Sequence, residues 1–315
     1  MKKIVVTGVA GFIGSNLARN LLASNFKILG IDSLYSGTRE NVPAGVDFHV
    51  ADIRDREIEP LFVGADTVFH LAAKTNLPDC LKDPVAASDV NVTGTVNVLE
   101  CARRTKVRKV VFADTSAEYE GIDELPAKTD KVCPISAYAV SKHGGALFCD
   151  IYRRFFDLNV TILRYFNVYG PAQDWQRVFP PVVCSFISKL LNGVRPSIYG
   201  TGEKRRDFIY VDDVNAFHML VLQDDRTNGK TYNVGTGKNF SIAEIFALIE
   251  AKLKTGLKPQ YEPDLPGEAE ATLADISDGL QLGWRPRVTI DEGLQRSIEY
   301  YRRKIGETAA GRVRA

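Results

Sequence analysis

Six short runs rich in Val, Ile, Leu and Phe recur along the first half of the chain, and helical patterns separate them. The runs show no polar alternation, which is typical of strands buried on both faces. Alternation of such strands with helices predicts an α/β fold with a doubly wound parallel sheet. The predicted strands are residues 3–7, 27–32, 47–50, 67–71, 109–113 and 160–165. The predicted helices are residues 12–23, 84–105 and 137–157.

The pattern loosens after about residue 170. It predicts a helix at 181–192, short strands at 197–199 and 207–211, and a helix over "FSIAEIFALIEAKL" with Ser241 as its N-cap. No repeat or low-complexity linker separates the two parts. We expect residues 1–170 to form a Rossmann-type domain, joined by some later segments. Residues 171–315 would form a smaller α/β domain packed closely on it.

The composition excludes several classes of partner. The 315 residues are 45% hydrophobic and 25% charged, with a net charge of +1, which gives no support for binding nucleic acid or a membrane surface. No apolar run is long enough for a transmembrane helix. The five cysteines show no metal-binding spacing. They predict reduced, mostly buried thiols in a cytoplasmic protein without a metal site.

A glycine-rich turn follows the first strand in "VTGVAGFIGSN". Gly8, Gly11 and Gly14 allow a tight turn and let the backbone approach a pyrophosphate at the N-terminus of a helix. The second strand ends at Asp32, where a carboxylate can accept bonds from the adenosine ribose. No Arg follows in "DSLYSG" to pair with a 2′-phosphate, so the pattern favours NAD over NADP.

Other residues near the ends of these strands complete the expected cofactor site. Asp52, after the third strand, is expected to bond the adenine amine, or else to cap a helix. The remaining expected contacts are Phe12, Ile13, Ser33, Ile53, Leu71, Ala72 and Ala73.

The segment "SAYAVSK" places Tyr138 and Lys142 four residues apart in a predicted helix, on one face and one turn apart. Such a pair is often part of a solvated face. It is also a way to hold a phenol beside an ammonium, which makes the tyrosine a base near neutral pH. The pair alone does not decide between these interpretations.

Several motifs occur in order over nearly the whole chain. They are "TGVAGFIG", "FHLAA", "NVTGTVNVLE", "SAYAVSK", "LRYFNVYGP" and "RRDFIYVDDV". Together they resemble the extended short-chain dehydrogenase/reductase family, and within it the nucleotide-sugar epimerases and dehydratases. The likeness is greatest to the UDP-glucose 4-epimerase group and its N-acetylhexosamine relatives. The resemblance implies a cofactor domain, mainly residues 1–170, and a mainly nucleotide-sugar-binding part after it.

The resemblance implies roles for the residues around the cofactor. Tyr138 would be the acid/base that deprotonates a sugar hydroxyl, and Lys142 would bond the nicotinamide ribose and lower the phenol pKa. Ser116 would bond the same sugar oxygen, or else be a turn residue at a strand end. Asn91 would bond backbone near the cofactor, and Phe166 would line the nicotinamide.

At the substrate end, the resemblance implies that Asn167 and Arg206 contact the diphosphate and that Tyr199 lies beside the uracil. Arg205 is the alternative to Arg206, and a solvated basic turn is the alternative to both. An Arg suits a phosphate because its planar guanidinium can donate two parallel hydrogen bonds to the phosphate oxygens.

Two positions depart from the family pattern or bear on specificity. Leu265 stands where relatives often carry a second phosphate-binding Arg, so we expect either weaker diphosphate binding or compensation by Arg177. Thr272 stands where a residue walls the sugar pocket in the family. Because Thr272 is small, we expect room for an N-acetyl group.

Three functions follow from the resemblance. The first is 4-epimerisation of a UDP-hexose through a 4-keto intermediate, with NAD bound throughout and Tyr138 as the acid/base. The second is decarboxylation of UDP-glucuronate or 4,6-dehydration; Ala117 argues against the dehydratase, and Glu118 leaves the decarboxylase open. The third is a non-catalytic NAD(P)-binding sensor, which the presence of Tyr138 and Lys142 disfavours.

Many relatives pair two helices across a twofold axis as a four-helix bundle. The corresponding predicted helices here are 84–105 and 137–157. The apolar positions available for that interface, or for packing on the sheet, are Ala146, Leu147, Cys149, Ile151 and Phe155. We therefore expect a homodimer.

Overall fold

A computed structural model describes residues 2–264 and 269–312, except for the side chains of 308–312. Its strands are β1 (Lys3–Thr7), β2 (Lys27–Asp32), β3 (Asp47–Val50), β4 (Ala65–His70), β5 (Lys109–Thr115), β6 (Val160–Tyr165), β7 (Asn167–Tyr169), β8 (Ser197–Tyr199), β9 (Arg205–Arg206), β10 (Phe208–Tyr210), β11 (Thr231–Val234), β12 (Phe240–Ser241) and β13 (Gln260–Glu262).

The α-helices are α1 (Phe12–Ala23), α2 (Glu59–Phe62), α3 (Leu77–Lys82), α4 (Pro84–Ser88), α5 (Thr95–Arg104), α6 (Ala137–Phe156), α7 (Val182–Leu191), α8 (Val211–Gln223), α9 (Ile242–Leu253), α10 (Ser277–Gln281) and α11 (Ile290–Arg312). A π-helical segment, Asp89–Gly94, joins α4 to α5. Short 3₁₀ turns occur at Arg39–Asn41, Arg56–Ile58, Ser116–Tyr119 and Asp225–Thr227.

Seven parallel strands form the central sheet, in the order β11-β6-β5-β4-β1-β2-β3. From β1 the chain adds β2 and β3 on one side of the sheet. It then adds β4, β5, β6 and β11 on the other side, so the strand order reverses between β1 and β4. This doubly wound arrangement confirms the predicted fold class, and such a reversal leaves a crevice at the carboxyl ends of the strands.

Two apolar cores cover the two faces of the sheet, because its strands carry Val, Ile and Leu on both sides. One core joins the sheet to α5 and α6 through residues such as Val98 and Cys149. The other joins it to α1 and α8 through residues such as Leu17 and Phe217.

The helix predicted over residues 84–105 is interrupted. It consists of α4, the π-helical segment and α5, and a π-bulge of this kind often marks a functional site. The predicted strand bounds shift by one or two residues at β4, β5 and β10. The sequence patterns missed β11, a four-residue strand that hydrogen-bonds to β6.

A third core joins α7, α9 and α11 to the small two-stranded sheets of the later part of the chain. The predicted N-cap of α9 is confirmed: Ser241 and Glu244 form a reciprocal capping box. The division of the chain near residue 170 stays a prediction, and β11 is a later segment that lies in the central sheet.

Cys80, Cys101, Cys149 and Cys184 are buried and Cys133 is exposed, so the thiols are mostly buried, as expected. Among the described residues, no helix has the length and apolar character needed to cross a membrane.

Candidate active site

A cleft of about 2160 Å³ lies at the carboxyl ends of the central strands. Pockets for one drug-sized ligand reach roughly 1,000 Å³, so this cleft has room for two large ligands. Its walls come from the turns after β1, β2, β4, β5 and β6, and from β8, β9 and α7 of the later part. The fold therefore places the cofactor motif and the predicted substrate residues around one space.

The glycine turn after β1 forms a close-packed cradle on the cleft wall. Gly8 has φ +75°, and a Cβ there would lie 2.7 Å from the backbone nitrogen of Ala72. A Cβ on Gly14 would collide with the carbonyl oxygen of Gly8. Helix α1 begins after Gly11 without a side-chain cap, so its first N–H groups are available to an anion.

Asp32 lies beside this cradle at the end of β2. Its Oδ2 accepts a hydrogen bond from the N–H of Ala10, and its Oδ1 accepts one from the N–H of Leu34, each at 2.9 Å. These bonds hold the carboxylate in the cleft, where burial raises its pKa and the two N–H groups oppose that shift.

Asn91 fixes the loop that follows β4. Its Oδ1 accepts from the N–H of Lys74 at 2.8 Å, and its Nδ2 donates to the carbonyl of Lys74 and to Ser141 Oγ, each at 2.9 Å. Asn91 is buried and bonds backbone near the cleft, as the sequence predicted, and it also ties that loop to α6.

The other predicted cofactor residues lie on the cleft wall. They are Gly8, Gly11, Phe12, Ile13, Gly14, Ser33, Asp52, Ile53, Leu71, Ala72, Ala73 and Phe166.

Asp52 forms an ion pair with Arg54 that the sequence analysis did not predict. Its carboxylate accepts three bonds from Arg54, from the backbone N–H and from the guanidinium, and the guanidinium also pairs with Asp89. The alternative role as a helix cap is wrong, because Asp55 caps the 3₁₀ turn that follows. Contact with the adenine amine stays a prediction.

Tyr138 and Lys142 both line the cleft from the first turns of α6. Ser136 caps this helix, and Glu120 accepts bonds from both the N–H and the hydroxyl of Ser136. Glu120 thereby anchors the N-terminus of the helix. The Lys142 ammonium lies 4.1 Å from the centre of the Phe112 ring.

Burial raises the pKa of the Tyr138 phenol above its ordinary value, and a hydrogen bond with the Thr115 hydroxyl opposes that shift. The direction is opposite to the one expected from Lys142, because burial deprives the phenolate of water. Burial also lowers the pKa of Lys142 to about 8, against the attraction of Asp114.

Thr115 occupies the place that the sequence assigned to Ser116. Thr115 ends β5 and lines the cleft, and its hydroxyl lowers the pKa of the Tyr138 phenol, whereas Ser116 begins a 3₁₀ turn and is absent from the described cleft lining. The alternative interpretation of Ser116 as a turn residue at a strand end matches this placement. The two adjacent hydroxyl residues at the strand end were the signal in the sequence that either one could be the hydroxyl beside Tyr138.

Glu118 points into the protein. Its Oε2 lies 2.8 Å from Nδ1 of His143, and its side chain is 0% exposed. Burial, and then the nearby Asp114, raise the pKa of Glu118 to about 8. It is not among the described residues that line the cleft. The Tyr119 hydroxyl donates to Oδ1 of Asn233 at 2.6 Å, and its ring stacks on Phe166. These two contacts pack the turn against the core.

The predicted substrate residues Asn167, Tyr199, Arg206 and Arg177 all line the cleft. Arg206, rather than Arg205, faces it. The guanidinium of Arg205 instead bonds Asn239 and Glu244.

Thr272 lies outside the described cleft lining. Its hydroxyl accepts from the N–H of Asp207, and its own N–H donates to the carbonyl of Arg205, so it packs behind Arg206. The expected place of Thr272 at the sugar pocket stays a prediction. Leu265 lies outside the described residues.

Sequence reasoning missed two buried charges on the neighbouring strands β5 and β6. Asp114 and Arg164 interrupt the apolar runs "KVVFADT" and "VTILRY", and they stand directly opposite each other in the sheet. Opposite charges within two predicted core strands were the signal that could have found them.

The residues present fit a dinucleotide. The cradle leaves no space for side chains at Gly8 and Gly14, the start of α1 is open to a pyrophosphate, and Asp32 is fixed in the cleft. No group of three or more His, Cys, Asp or Glu side chains in the described part of the chain could hold a metal ion.

Comparison with known proteins identifies the family. Residues 4–235 match the model of the NAD dependent epimerase/dehydratase family. A putative UDP-glucose 4-epimerase of Methanocaldococcus jannaschii is 34% identical over 94% of this chain and 97% of its own. The crystal structure of UDP-glucose 4-epimerase with UDP-glucose from Thermotoga maritima has a TM-score of 0.93 at 32% identity, over 96% of this chain and 99% of its own.

A UDP-N-acetylglucosamine 4-epimerase from Methanobrevibacter ruminantium M1, solved with UDP-N-acetylmuramic acid, has a TM-score of 0.92 at 31% identity. It covers 96% of this chain and 99% of its own. The chain therefore belongs to the NAD-dependent epimerase/dehydratase family, the nucleotide-sugar branch of the extended short-chain dehydrogenases/reductases, and NAD is its cofactor.

Proposed function

We propose that the chain is a UDP-hexose 4-epimerase that interconverts UDP-glucose and UDP-galactose. The observation that carries the proposal is the position of Tyr138, which lines the cleft together with Thr115 and has Lys142 one helical turn away. Similarity to two solved 4-epimerases supports it.

A 4-epimerase needs one acid/base at one sugar oxygen. Tyr138 would take the proton from the 4-hydroxyl as the 4-keto sugar forms and return it to the same oxygen afterwards. Bound NAD would supply the oxidation of C4 and its reduction. Thr115 would hold the phenol against that oxygen, and Asn167 and Arg206 would hold the diphosphate while the sugar turns.

The decarboxylase and dehydratase alternatives are less favoured. Elimination from a 4-keto sugar needs a further acid/base beside the hydroxyl, and Ala117 has no group to provide it. Glu118 keeps the residue type of the decarboxylases, but its carboxyl group contacts His143 and is not among the described residues that line the cleft. A sensor without turnover would not need the Tyr138 and Thr115 pair.

The N-acetylhexosamines are a second substrate pair, UDP-N-acetylglucosamine and UDP-N-acetylgalactosamine. Support for them comes from the similarity to the Methanobrevibacter enzyme, since Thr272 lies behind the cleft wall. We infer that the cleft accepts both pairs.

Proton NMR of the purified protein tests the proposal, with UDP-galactose or UDP-N-acetylgalactosamine and no added reductant. We expect the gluco epimer to appear without net change in NAD, and Tyr138→Phe to abolish it. Conversion of UDP-glucuronate to a pentose nucleotide, with neither galacto substrate turned over, would replace the epimerase with the decarboxylase.

We also propose a homodimer through α6. Its outer face carries Val140, Leu147, Ile151 and Phe155, spaced by seven and four residues and between 41% and 72% exposed, whereas Ala146 and Cys149 pack inward. A stripe of this kind fits a four-helix bundle between two copies. Sedimentation should give a dimer, and Phe155→Glu with Leu147→Glu should give a monomer; a wild-type monomer would contradict this.

We place the protein in the cytoplasm. All five cysteines are free thiols, a state that persists in a reducing compartment. Fractionation of the native cells followed by immunodetection tests this location.

A further inference from the structure

A buried histidine lies behind the glycine cradle, at the end of β4. The side chain of His70 is buried, with Nδ1 at 2.8 Å from the hydroxyl oxygen of Thr7 and Nε2 at 3.0 Å from the hydroxyl oxygen of Thr95. Thr7 ends β1 directly before Gly8, and Thr95 begins α5 directly after the π-helical segment. His70 therefore joins the glycine turn to the helices that cover one face of the sheet.

The Thr7 hydroxyl supports the cleft wall from behind. Its oxygen accepts from the N–H of Ala72 at 3.2 Å, and it shares the N–H of Leu71 with the Thr7 carbonyl. Leu71 and Ala72 line the cleft, and a Cβ on Gly8 would lie 2.7 Å from the nitrogen of Ala72. The Thr7 hydroxyl thus fixes the backbone against which the glycine turn packs.

The other side of the imidazole is anchored where α6 packs on the π-helical segment. The Thr95 hydroxyl donates to the carbonyl of Asn91 at 2.7 Å. A Cβ on Gly145 of α6 would lie 2.9 Å from that carbonyl oxygen and 3.4 Å from the Thr95 hydroxyl oxygen, so α6 packs directly on this bond. The Asn91 side chain also bonds Ser141 of α6. His70 is therefore held from a rigid, buried junction.

The hydrogen bonds around His70 select one tautomer. The Thr7 hydroxyl accepts from backbone N–H groups and has one proton to donate, which makes Nδ1 of His70 its acceptor. The Thr95 hydroxyl gives its proton to Asn91, so it accepts from Nε2–H of His70. Burial, and then the nearby Lys142 ammonium, lower the pKa of His70 to about 3, so the ring carries a single proton. The opposite tautomer would turn both hydroxyls away from these partners.

We propose that His70, neutral and protonated at Nε2, is a positioning residue for NAD that acts through the Thr7 hydroxyl. It fixes the direction of that hydroxyl and so keeps the Leu71 and Ala72 backbone and the glycine turn in the arrangement that receives the cofactor. His70 is not among the described residues that line the cleft, so its effect on NAD is indirect. This role concerns the cofactor alone and holds whichever sugar reaction the chain performs.

Replacement of the Thr7 hydroxyl is the first test. Thr7→Val keeps the shape of the side chain and leaves the N–H of Ala72 without its acceptor. Thr161→Val is the matched control, because Thr161 is a buried strand threonine whose hydroxyl donates to the carbonyl of Thr227, outside the described cleft lining.

Each protein is loaded with radiolabelled NAD, and release of the label into excess unlabelled NAD is followed. We expect release from Thr7→Val to be faster by about 10-fold or more, and release from Thr161→Val to match the wild type. Wild-type release from Thr7→Val overturns the proposal. Equally fast release from Thr161→Val also overturns it, because the effect would then follow the loss of any buried hydroxyl.

Two replacements of His70 keep opposite halves of the network. The oxygen of an asparagine amide can take the place of Nδ1 and accept from Thr7. The longer glutamine amide can take the place of Nε2 and donate to Thr95. We expect near wild-type NAD release from His70→Asn and about 10-fold faster release from His70→Gln. Equal release from these two variants contradicts a role through Thr7.

Nitrogen-15 NMR of the histidine-labelled wild-type protein tests the tautomer without altering the network. The chain has four histidines, so replacing His49, His143 and His218 in turn identifies their signals and leaves that of His70 by elimination. We expect a protonated Nε2 and an unprotonated Nδ1 at neutral pH. A protonated Nδ1 overturns the proposal, because the Thr7 hydroxyl would then have no acceptor at His70.

Discussion

Nε of Arg164 lies 3.0 Å from Oδ2 of Asp114, and the two residues are directly opposite each other on β6 and β5, both buried. The guanidinium also donates to the Tyr119 hydroxyl at 3.0 Å and to the carbonyl of Thr129 at 2.9 Å. These bonds stabilise the buried charge of Arg164, which would otherwise be unfavourable among apolar strands. The pair joins the floor of the cleft to the turn that carries Glu118.

The first prediction concerns the stability that this pair provides. Arg164→Met leaves the Asp114 carboxylate buried without its main partner, so the free energy of unfolding should fall by about 3–5 kcal/mol. Urea unfolding followed by circular dichroism measures it. In the double variant with Asp114→Asn the loss should be smaller than the sum of the single losses; strict additivity would show that the two charges do not interact.

The second prediction concerns the pH dependence of stability. Burial and the nearby Asp114 raise the pKa of Glu118 to about 8, above its ordinary value. Between the ordinary pKa of a glutamate and about pH 8, the folded protein holds a proton on Glu118 that the unfolded chain releases. This contribution to stability is therefore lost as the pH rises.

A glutamine in place of Glu118 cannot titrate. The stability of Glu118→Gln relative to wild type should therefore increase by up to about 1.4 kcal/mol per pH unit from about pH 5 to pH 8. Urea unfolding at several pH values measures the difference. Glu100→Gln is the control, because the Glu100 carboxylate bonds Arg103 and Tyr152 and its pKa is lowered, so it should show no such rise. A flat difference for Glu118→Gln would contradict the raised pKa.

The third prediction separates two neighbouring hydroxyls. Thr115→Val removes the cleft hydroxyl that lowers the pKa of the Tyr138 phenol, so kcat should fall by about 10- to 100-fold with NAD still bound. Ser116→Ala should change kcat much less, because Ser116 lies outside the described cleft lining. The reverse order of effects would restore Ser116 to the role that the sequence gave it.

The sequence predicted the sheet and the cofactor turn well, because both depend on local patterns. Continuous apolar runs define buried strands, and the glycine spacing defines the turn after β1. The residues around Tyr138 were harder to assign. Thr115 and Ser116 both suit a catalytic hydroxyl, and their choice depends on where β5 ends, two residues beyond its apolar run.

Tertiary contacts also decided the roles of residues that no local pattern describes. The contact between Glu118 and His143 forms only when the turn after β5 packs on α6, and Thr272 lies behind Arg206 because its backbone pairs with Arg205. Counting along a loop could not place Thr272. Burial, which raises the pKa of Tyr138, is likewise a property of the assembled fold.

The fourth prediction concerns the diphosphate site. Arg206 faces the cleft, so Arg206→Ala should weaken UDP binding by about 10- to 150-fold, the value of a charge-assisted hydrogen bond. Arg205→Ala is the matched control, because the Arg205 guanidinium bonds Asn239 and Glu244. Titration calorimetry with UDP measures both. Equal losses in the two variants would show that Arg206 has no specific role in binding.

The most direct test of the proposed reaction follows an isotope at C4. UDP-galactose deuterated at C4 is incubated with the protein in ordinary water, and the products are analysed by NMR and mass spectrometry. The account predicts UDP-glucose that keeps its deuterium at C4, and no reaction with Tyr138→Phe. Loss of the label from C4 to solvent, or product formation by the Tyr138→Phe variant, would contradict the account.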